Sequence, residues 1–496
     1  MNTPIYLATD AYKLNHRRQY PENTTKVYST WTPRADKFAP WLKNKQVVVF
    51  GLQYFIKEYL MKRFSEDLFE QPKSNIRKNF EAVLPHYLAA TPAEVDEQVA
   101  AWEALYDLGY VPLEIHAIPE GELSDIRVPI FAFWNTHPDF FWLTNFLETI
   151  MSTTLWEPLT SASLAYNFRN MLDNYALKTT GSTEGVAFQG HDFSMRGMSS
   201  EQSAASSGAG HLLSFLGSDS VGAGFFLNKY YDAPWEGLMG SISATEHSVM
   251  CSYGQTGELE LLRHLLNDVY PTGFFSAVCD TWDYFKLVTE YLPTVKEDIM
   301  NRDGRFVVRP DSGNPVDIIC GTNQKFGEGN TPEEKGSIEL LWEIFGGSIN
   351  EQGYKVLDPH IGLIYGDGIT YERAEQISER LMKKGFATTN VVYGIGSYTY
   401  QMNSRDTLGQ AVKATYAVVN GEERLLFKDP KTDDGTKRSQ RGMVVVTRDE
   451  DGHTHFEDGF TDSTFTENVS IMKPVFKNGM LLKNFTLEEI REKLAK

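Results

Sequence analysis

The 496-residue sequence contains only three cysteines and no unbroken apolar run approaching roughly the 18 residues of a membrane span. Cys251, Cys279 and Cys320 are far apart and share no CxxC spacing, which argues against a disulfide framework and a thiolate zinc site. Reduced core thiols are expected instead. The first ten residues carry no basic stretch followed by an apolar one, so no secretory signal is read there and a cytoplasmic location is expected. Cations are scarce as well: 47 Lys and Arg face 66 Asp and Glu, a formal net charge of -19. Such a charge repels nucleic acid and anionic membrane surfaces unless a local basic patch overrides it, and neither is an expected partner.

The sequence does have the composition of a globular protein, 41% hydrophobic and 23% charged, in a chain too long for one ordinary core. Two domains, or a barrel with a second layer, are expected. Up to residue 157 short strands such as Gln46 to Leu52 alternate with helices, one of them opened by the capping box Thr91-Pro92-Ala93-Glu94. From Phe275 four β-rich runs follow, FFSAVCDTWD, RFVVRPDSGNP, LIYGDG and VVYGIGS. Between the last two, Ala374, Ile377 and Leu381 share one face of a predicted crossover helix, so the strands are read as parallel. Ligands sit at the carboxyl ends of such strands, which makes these loops candidates for one site. Beyond Gly409 the pattern turns antiparallel, with an Asn420-Gly421 hairpin, a second hairpin after Met443 to Thr447, and a capping box at Thr486. The expected divisions are 1–157, 158–397 and 398–496.

Several strand ends carry chemistry. Arg309 and Asp311 in RPDSGNP are two residues apart, so both point to one face: a forked cation for phosphate or a polar base, and a carboxylate for ribose hydroxyls. A strand-end salt bridge is the alternative. Gly366-Asp367 repeats the acid beside a Gly that permits close approach, and Gly394-Ile395-Gly396-Ser397 offers backbone N–H groups to a phosphate. The run from Ser241 to Ser248 sets His247 beside Glu246; His247 is either a structural histidine or a nucleophile for a phosphoryl group, oriented by an acid such as Asp280. In HDFSMRG, Phe193 can stack on a flat ring and Arg196 can meet an anion, although a core Phe and a surface Arg would read the same way. Arg34, Arg405, Lys413, Lys428 and Lys437 form a scattered basic set able to take a pyrophosphate together with Mg2+.

Taken as a set, LATDAYKLNHRRQYP, GLQYF, WLTNFLETI, HDFSMRG, SSEQSA, ATEHS, RPDSGNP, GDG, VVYGIG and FKDPKTDDGTKRS resemble the nicotinamide phosphoribosyltransferase family over nearly the whole chain. The resemblance implies the irregular α/β barrel of the type II phosphoribosyltransferases, with a second α+β domain formed by the two chain ends. It also implies a homodimer with active sites at the subunit interface. Nicotinamide and phosphoribosyl pyrophosphate would be the substrates, joined with release of pyrophosphate in NAD salvage. By that resemblance the ring stacks between Phe193 and a partner's Tyr12, with Asp219, Ser241 and Arg309 around the amide and Arg196 in the anion region. Asp311, Gly366 and Asp367 hold ribose, Gly396 and Ser397 the 5'-phosphate, and Arg34, Arg405, Lys413 and Lys428 further phosphates. ATP enters as co-substrate through phosphorylation of His247, oriented by Asp280, with Mg2+ as cofactor on unassigned protein ligands. Departures from the family pattern are Ser397 for a frequent Gly, Trp282 for a Tyr and Gly362 for the Arg of animal members. Residues 321–336 look like an insertion.

Two rivals remain open at this point. A nicotinate phosphoribosyltransferase shares the fold, but the anionic Asp219 suits a neutral carboxamide and repels a carboxylate. A non-catalytic sensor of NAD metabolites would not require both the EHS segment and the basic set.

Overall fold

The computed structural model describes residues 3–428, 440–465 and 469–495, so Lys437 lies outside the described residues. The chain divides into two compact units. One comprises residues 1–163, 229–232 and 403–496, the other 164–228 and 233–402. These bounds fall a few residues past 157 and 397, and the return of Lys229–Asp232 to the first unit has no signature in the sequence pattern.

The first unit is built on a seven-stranded antiparallel sheet whose central strands come from both chain ends. Thr24–Thr32 pairs with Ala411–Val419 on one side and Phe131–Asn135 on the other. Leu113–Ala117, Lys473–Lys477 and Met480–Leu481 extend it one way, and Glu422–Leu425 the other. The hairpin between Ala411–Val419 and Glu422–Leu425 turns at Asn420 and Gly421, φ 53° and 75°, the pair of positive values a tight two-residue turn requires. Thr91 and Thr486 make the expected capping boxes for helices Pro92–Leu108 and Leu487–Leu494. The first expected strand is shorter than read, Gln46–Val48. That strand pairs with Leu123–Asp125 in a separate two-stranded sheet, and beyond it the buried carboxylate of Glu120 accepts from the amides of Gly51 and Gln53 and turns the chain into helix Leu52–Phe55.

The second unit holds a parallel sheet of seven strands: β1 Gly190–Asp192, β2 Gly217–Ser218, β3 Ser243–Ala244, β4 Thr272–Val278, β5 Asp303–Arg309, β6 Ile361–Tyr365 and β7 Val391–Ile395. Their spatial order is β2-β1-β7-β6-β5-β4-β3. Gly240, just before β3, bridges to Gly217 of β2, so the two edges meet and the sheet closes into an irregular barrel. The crossover from β6 to β7 is helix α1, Tyr371–Lys383, which buries Ala374, Ile377 and Leu381 completely, as its spacing predicts. Burial of Ile377 and Leu381 contributes about 1.5–3 kcal/mol each. Cys279 and Cys320 are core thiols, but Cys251 is exposed, against expectation: in its short helix, His247–Ser252, only Met250 is buried. Among the described residues no helix is long and apolar enough to cross a membrane.

Candidate active site

Because the seven strands run parallel, their carboxyl ends share one rim, and each delivers a polar or aromatic group to it. Phe193 follows β1, Asp219 follows β2, His247 lies three residues past β3, and Asp280 two past β4. Arg309 ends β5 and Asp311 lies two residues past it, Gly366 and Asp367 follow β6, and Gly396 and Ser397 follow β7. A cleft of about 900 Å³ opens on this rim. Phe193, Arg196, Asp219, His247, Arg309, Asp311, Gly366, Asp367, Gly396 and Ser397 all line it.

At one end His191 Nε2 stands 2.9 Å from Asp219 Oδ1; a carboxylate can only accept, so the imidazole donates. Ser241 Oγ donates to the same oxygen. Burial acts to raise the Asp219 carboxyl, but the His191 and Ser241 hydrogen bonds and the charge of Arg309 outweigh it and hold the group below the ordinary carboxylate range. Asp219 is therefore an anion at neutral pH. Ser241 enters the site through this bond, and His191 is a residue that sequence reasoning left unassigned. Its signal was present, since a strand's period of two puts His191 and Phe193 on one face.

In the middle, Arg309 grips Asp311 with Nε to Oδ1 and Nη2 to Oδ2, both 2.9 Å. The strand-end ion pair of the RPD motif is thus present, and both of its members line the cleft. The guanidinium lies 4.9 Å from the centroid of the Phe193 ring, within cation–π range. Two glycines make this packing feasible. A Cβ on Gly366 would fall 2.3 Å from Asp311 Oδ1, and one on Gly394 would fall 2.4 Å from Phe193.

Asp280 is buried behind the rim. Its Oδ2 accepts from the Asp311 amide at 2.9 Å and from the Ser312 hydroxyl. Its Oδ1 stands 3.4 Å from His247 Nε2 and takes no hydrogen bond, while the His247 side chain is half exposed. At the far end Gly197 brings the Arg196 turn against Ser397, where a Cβ would lie 2.0 Å from the Ser397 hydroxyl. Glu246 and Ser248, from the run read around His247, also line the cleft, as does Tyr398, which the sequence left without a role.

The remaining expected site residues belong to the first unit. Tyr12 is well exposed there. Arg34, Arg405, Lys413 and Lys428 gather near one another: burial lowers Lys413, and the charges of Arg34, Lys428 and Arg405 lower it further. Arg34 is lowered by burial and then by Arg405. Among the described residues no three His, Cys, Asp or Glu side chains converge as a metal cage.

A closed parallel barrel with an acid, a forked cation or a Gly loop at successive strand ends is the architecture of a type II phosphoribosyltransferase. Comparison with known proteins agrees. The family model described as "Nicotinate phosphoribosyltransferase (NAPRTase) family" matches residues 188–480, and that described as "Nicotinamide phosphoribosyltransferase, N-terminal domain" matches residues 4–88. A nicotinamide phosphoribosyltransferase of Acinetobacter baylyi is 47% identical over 98% of this chain and 96% of its own length. One of Mycoplasma pneumoniae is 35% identical over 88% of this chain and 94% of its own. The crystal structure of nicotinate-nucleotide pyrophosphorylase from Pyrococcus furiosus shares the fold, with a TM-score of 0.58 at 15% identity over 100% of this chain and 96% of that one. The chain belongs to the nicotinate phosphoribosyltransferase family, on its nicotinamide phosphoribosyltransferase side, and is a pentosyltransferase.

Proposed function

We propose that the protein joins nicotinamide to the ribose phosphate of phosphoribosyl pyrophosphate, releasing pyrophosphate, as a step of NAD salvage. The observation that carries this reading is the state of Asp219. Its Oδ1 is taken by His191 and Ser241, so Oδ2 is the acceptor offered to a ligand's N–H. A carboxamide supplies that N–H; a nicotinate carboxylate about 4 Å away would meet a repulsion of about 4 kcal/mol at an effective dielectric of 20. Beside Asp219, Phe193 offers a ring for stacking the pyridine.

The reaction develops positive charge on the ribose ring as pyrophosphate departs, and the pyridine nitrogen attacks that carbon. Asp311 and Asp367 are the carboxylates at hand for the ribose hydroxyls and that charge, while Gly396 and Ser397 receive the 5'-phosphate. The cation cluster of Arg34, Arg405, Lys413 and Lys428 fits phosphate oxygens, and the homodimer reading has a second copy supply part of it together with Tyr12. Mg2+ fits a site of this kind: with one or two carboxylates such as Asp311 nearby and no cage among the described residues, it would be held mainly by substrate phosphates and would neutralise the leaving group.

ATP is read as co-substrate through phosphorylation of His247. A half-exposed imidazole, with the unpartnered Oδ1 of Asp280 at 3.4 Å, supports that role, because a buried carboxylate stabilises the charge that forms on the ring as it attacks phosphorus. The expected compartment is the cytoplasm. The decisive test is product identification from nicotinamide, phosphoribosyl pyrophosphate and Mg2+, with and without ATP. Nicotinamide mononucleotide and pyrophosphate in equal amounts are expected; preferential turnover of nicotinate would overturn the substrate assignment.

A further inference from the structure

Beneath the cleft of the second unit, helix Glu201–His211 ends on a histidine that is fully buried. His211 Nε2 lies 2.9 Å from the Gly217 carbonyl oxygen, and Nδ1 lies 2.6 Å from the Tyr400 hydroxyl. A carbonyl only accepts, so Nε2 carries a proton. Burial pushes the imidazole down to about 4, so near pH 7 the ring is neutral and Nδ1 is a bare lone pair. Tyr400 therefore donates to it. The ring is held against rotation by Phe215, stacked with centroids 4.9 Å apart and planes 19° apart.

The two arms of this imidazole reach two different walls of the cleft. Gly217 belongs to β2, two residues before Asp219, and a Cβ there would lie 2.7 Å from His191 Nδ1, so Gly217 is packed directly under the histidine that aims Asp219. Tyr400 closes the short helix that begins at Ser397, directly after Gly396. Both elements are brief, two and four residues long; Ser218 is also held by its amide to the Gly240 carbonyl and Thr399 by its hydroxyl to the Ile369 carbonyl, and the His211 ring is the side chain that bonds to both elements.

We infer that His211 is a positioning residue that sets the spacing between the base end of the cleft, at Asp219, and its phosphate end, at Gly396 and Ser397. The inference rests on the assignment of those two ends under Proposed function. Its physical basis is that both bonds belong to one rigid ring in one tautomer, so a displacement of one wall is passed to the other. A misplacement of the reacting groups by about 1 Å costs on the order of 100-fold in rate.

Two substitutions separate the arms. In His211→Gln the amide nitrogen can stand near the place of Nε2, keeping the bond to Gly217 while losing Tyr400. In His211→Asn the amide oxygen can stand near the place of Nδ1, keeping Tyr400 while losing Gly217. Tyr400→Phe removes the same arm as His211→Gln without touching the histidine, so one variant of the pair serves if the other does not fold. Steady-state kinetics, varying each substrate in turn on variants whose thermal melts show a folded state, should give a split. His211→Gln and Tyr400→Phe are expected to raise KM for phosphoribosyl pyrophosphate about tenfold and leave KM for nicotinamide within about twofold. His211→Asn is expected to do the reverse. Equal shifts of both KM values, or none, in folded variants would reduce His211 to a core residue and overturn the inference. Failure of the underlying substrate assignment would look different, because the unaltered enzyme would then not turn over nicotinamide.

Discussion

His191 Nε2 stands 2.9 Å from Asp219 Oδ1, so the carboxylate after β2 is aimed by a side chain of the neighbouring strand β1. On the proposed function, the hydrogen bonds that keep this carboxylate ionised also set which pyridine the cleft accepts. Asp219→Ser removes the anion and keeps a small polar group. The ratio of kcat/KM for nicotinate to that for nicotinamide is expected to rise about tenfold or more. An unchanged ratio would remove Asp219 from amide recognition.

Gly366→Ala tests the middle of the cleft. The backbone of Gly366 is not in the left-handed region, so the added methyl acts only through its 2.3 Å approach to Asp311 Oδ1. It must push the Arg309–Asp311 pair out of register. A loss of roughly 100-fold in kcat/KM with a small change in melting temperature is expected; activity within twofold of the parent would show that the pair's position does not matter.

Removal of His247 tests the coupling to ATP. His247→Ala is expected to abolish stimulation by ATP and the acid-labile phosphate label from γ-labelled ATP, while slow synthesis without ATP continues. Asp280→Asn keeps an acceptor for the Asp311 amide but removes the charge near the imidazole, and should lower phosphate incorporation by about 10- to 100-fold. Equal labelling in His247→Ala would end the phosphohistidine reading.

Glu258 provides a pH test away from the cleft rim. It is 3% exposed, and burial, helped by the charge of Asp283, raises its carboxyl to about 7 from an ordinary 4.5. The folded state therefore holds a proton that the unfolded chain releases. Stability from this group is greatest below pH 4.5 and is lost as pH rises to about 7. Glu258→Gln should be more stable than the parent near pH 8, by about 1–3 kcal/mol, and similar to it near pH 4. Parallel stability curves in urea at the two pH values would contradict this.

Lys384 and Glu339 form an ion pair at 2.6 Å with side chains 2% and 1% exposed. Lys384 also donates to the carbonyls of Cys320 and Lys335, and Glu339 accepts from the Gly327 amide, so the pair anchors the 321–336 segment. Glu339→Gln or Lys384→Met leaves one buried charge alone and should cost about 3–5 kcal/mol in urea melts. Replacing both by apolar residues should recover most of that loss.

Much of the site could be read in the sequence because its residues sit in short segments bound to strand ends. RPDSGNP, GDG and VVYGIGS each place their groups within a few residues of a run that is apolar enough to be a strand, and helix α1 declares its buried face by spacing alone. His191 was harder to assign, because its partner Asp219 is 28 residues away and the two meet only through the register of β1 with β2. His211 and Tyr400, 189 residues apart, gave no local sign of their bond. The strand expected to run to Leu52 failed for a related reason, since the carboxylate that ends it early belongs to Glu120.

By itself the sequence determined the class of fold, the family and most of the groups on the rim, since periodicity, turn chemistry and motif spacing are local properties that a chain carries before it folds. Only the tertiary structure decided that the parallel sheet closes through Gly240, that Asp219 is kept as an anion by His191 and Ser241, and that Arg309 faces Asp311 over Phe193. Those outcomes depend on strand register and on the burial of charge, which arise only when distant segments meet and exclude water between them.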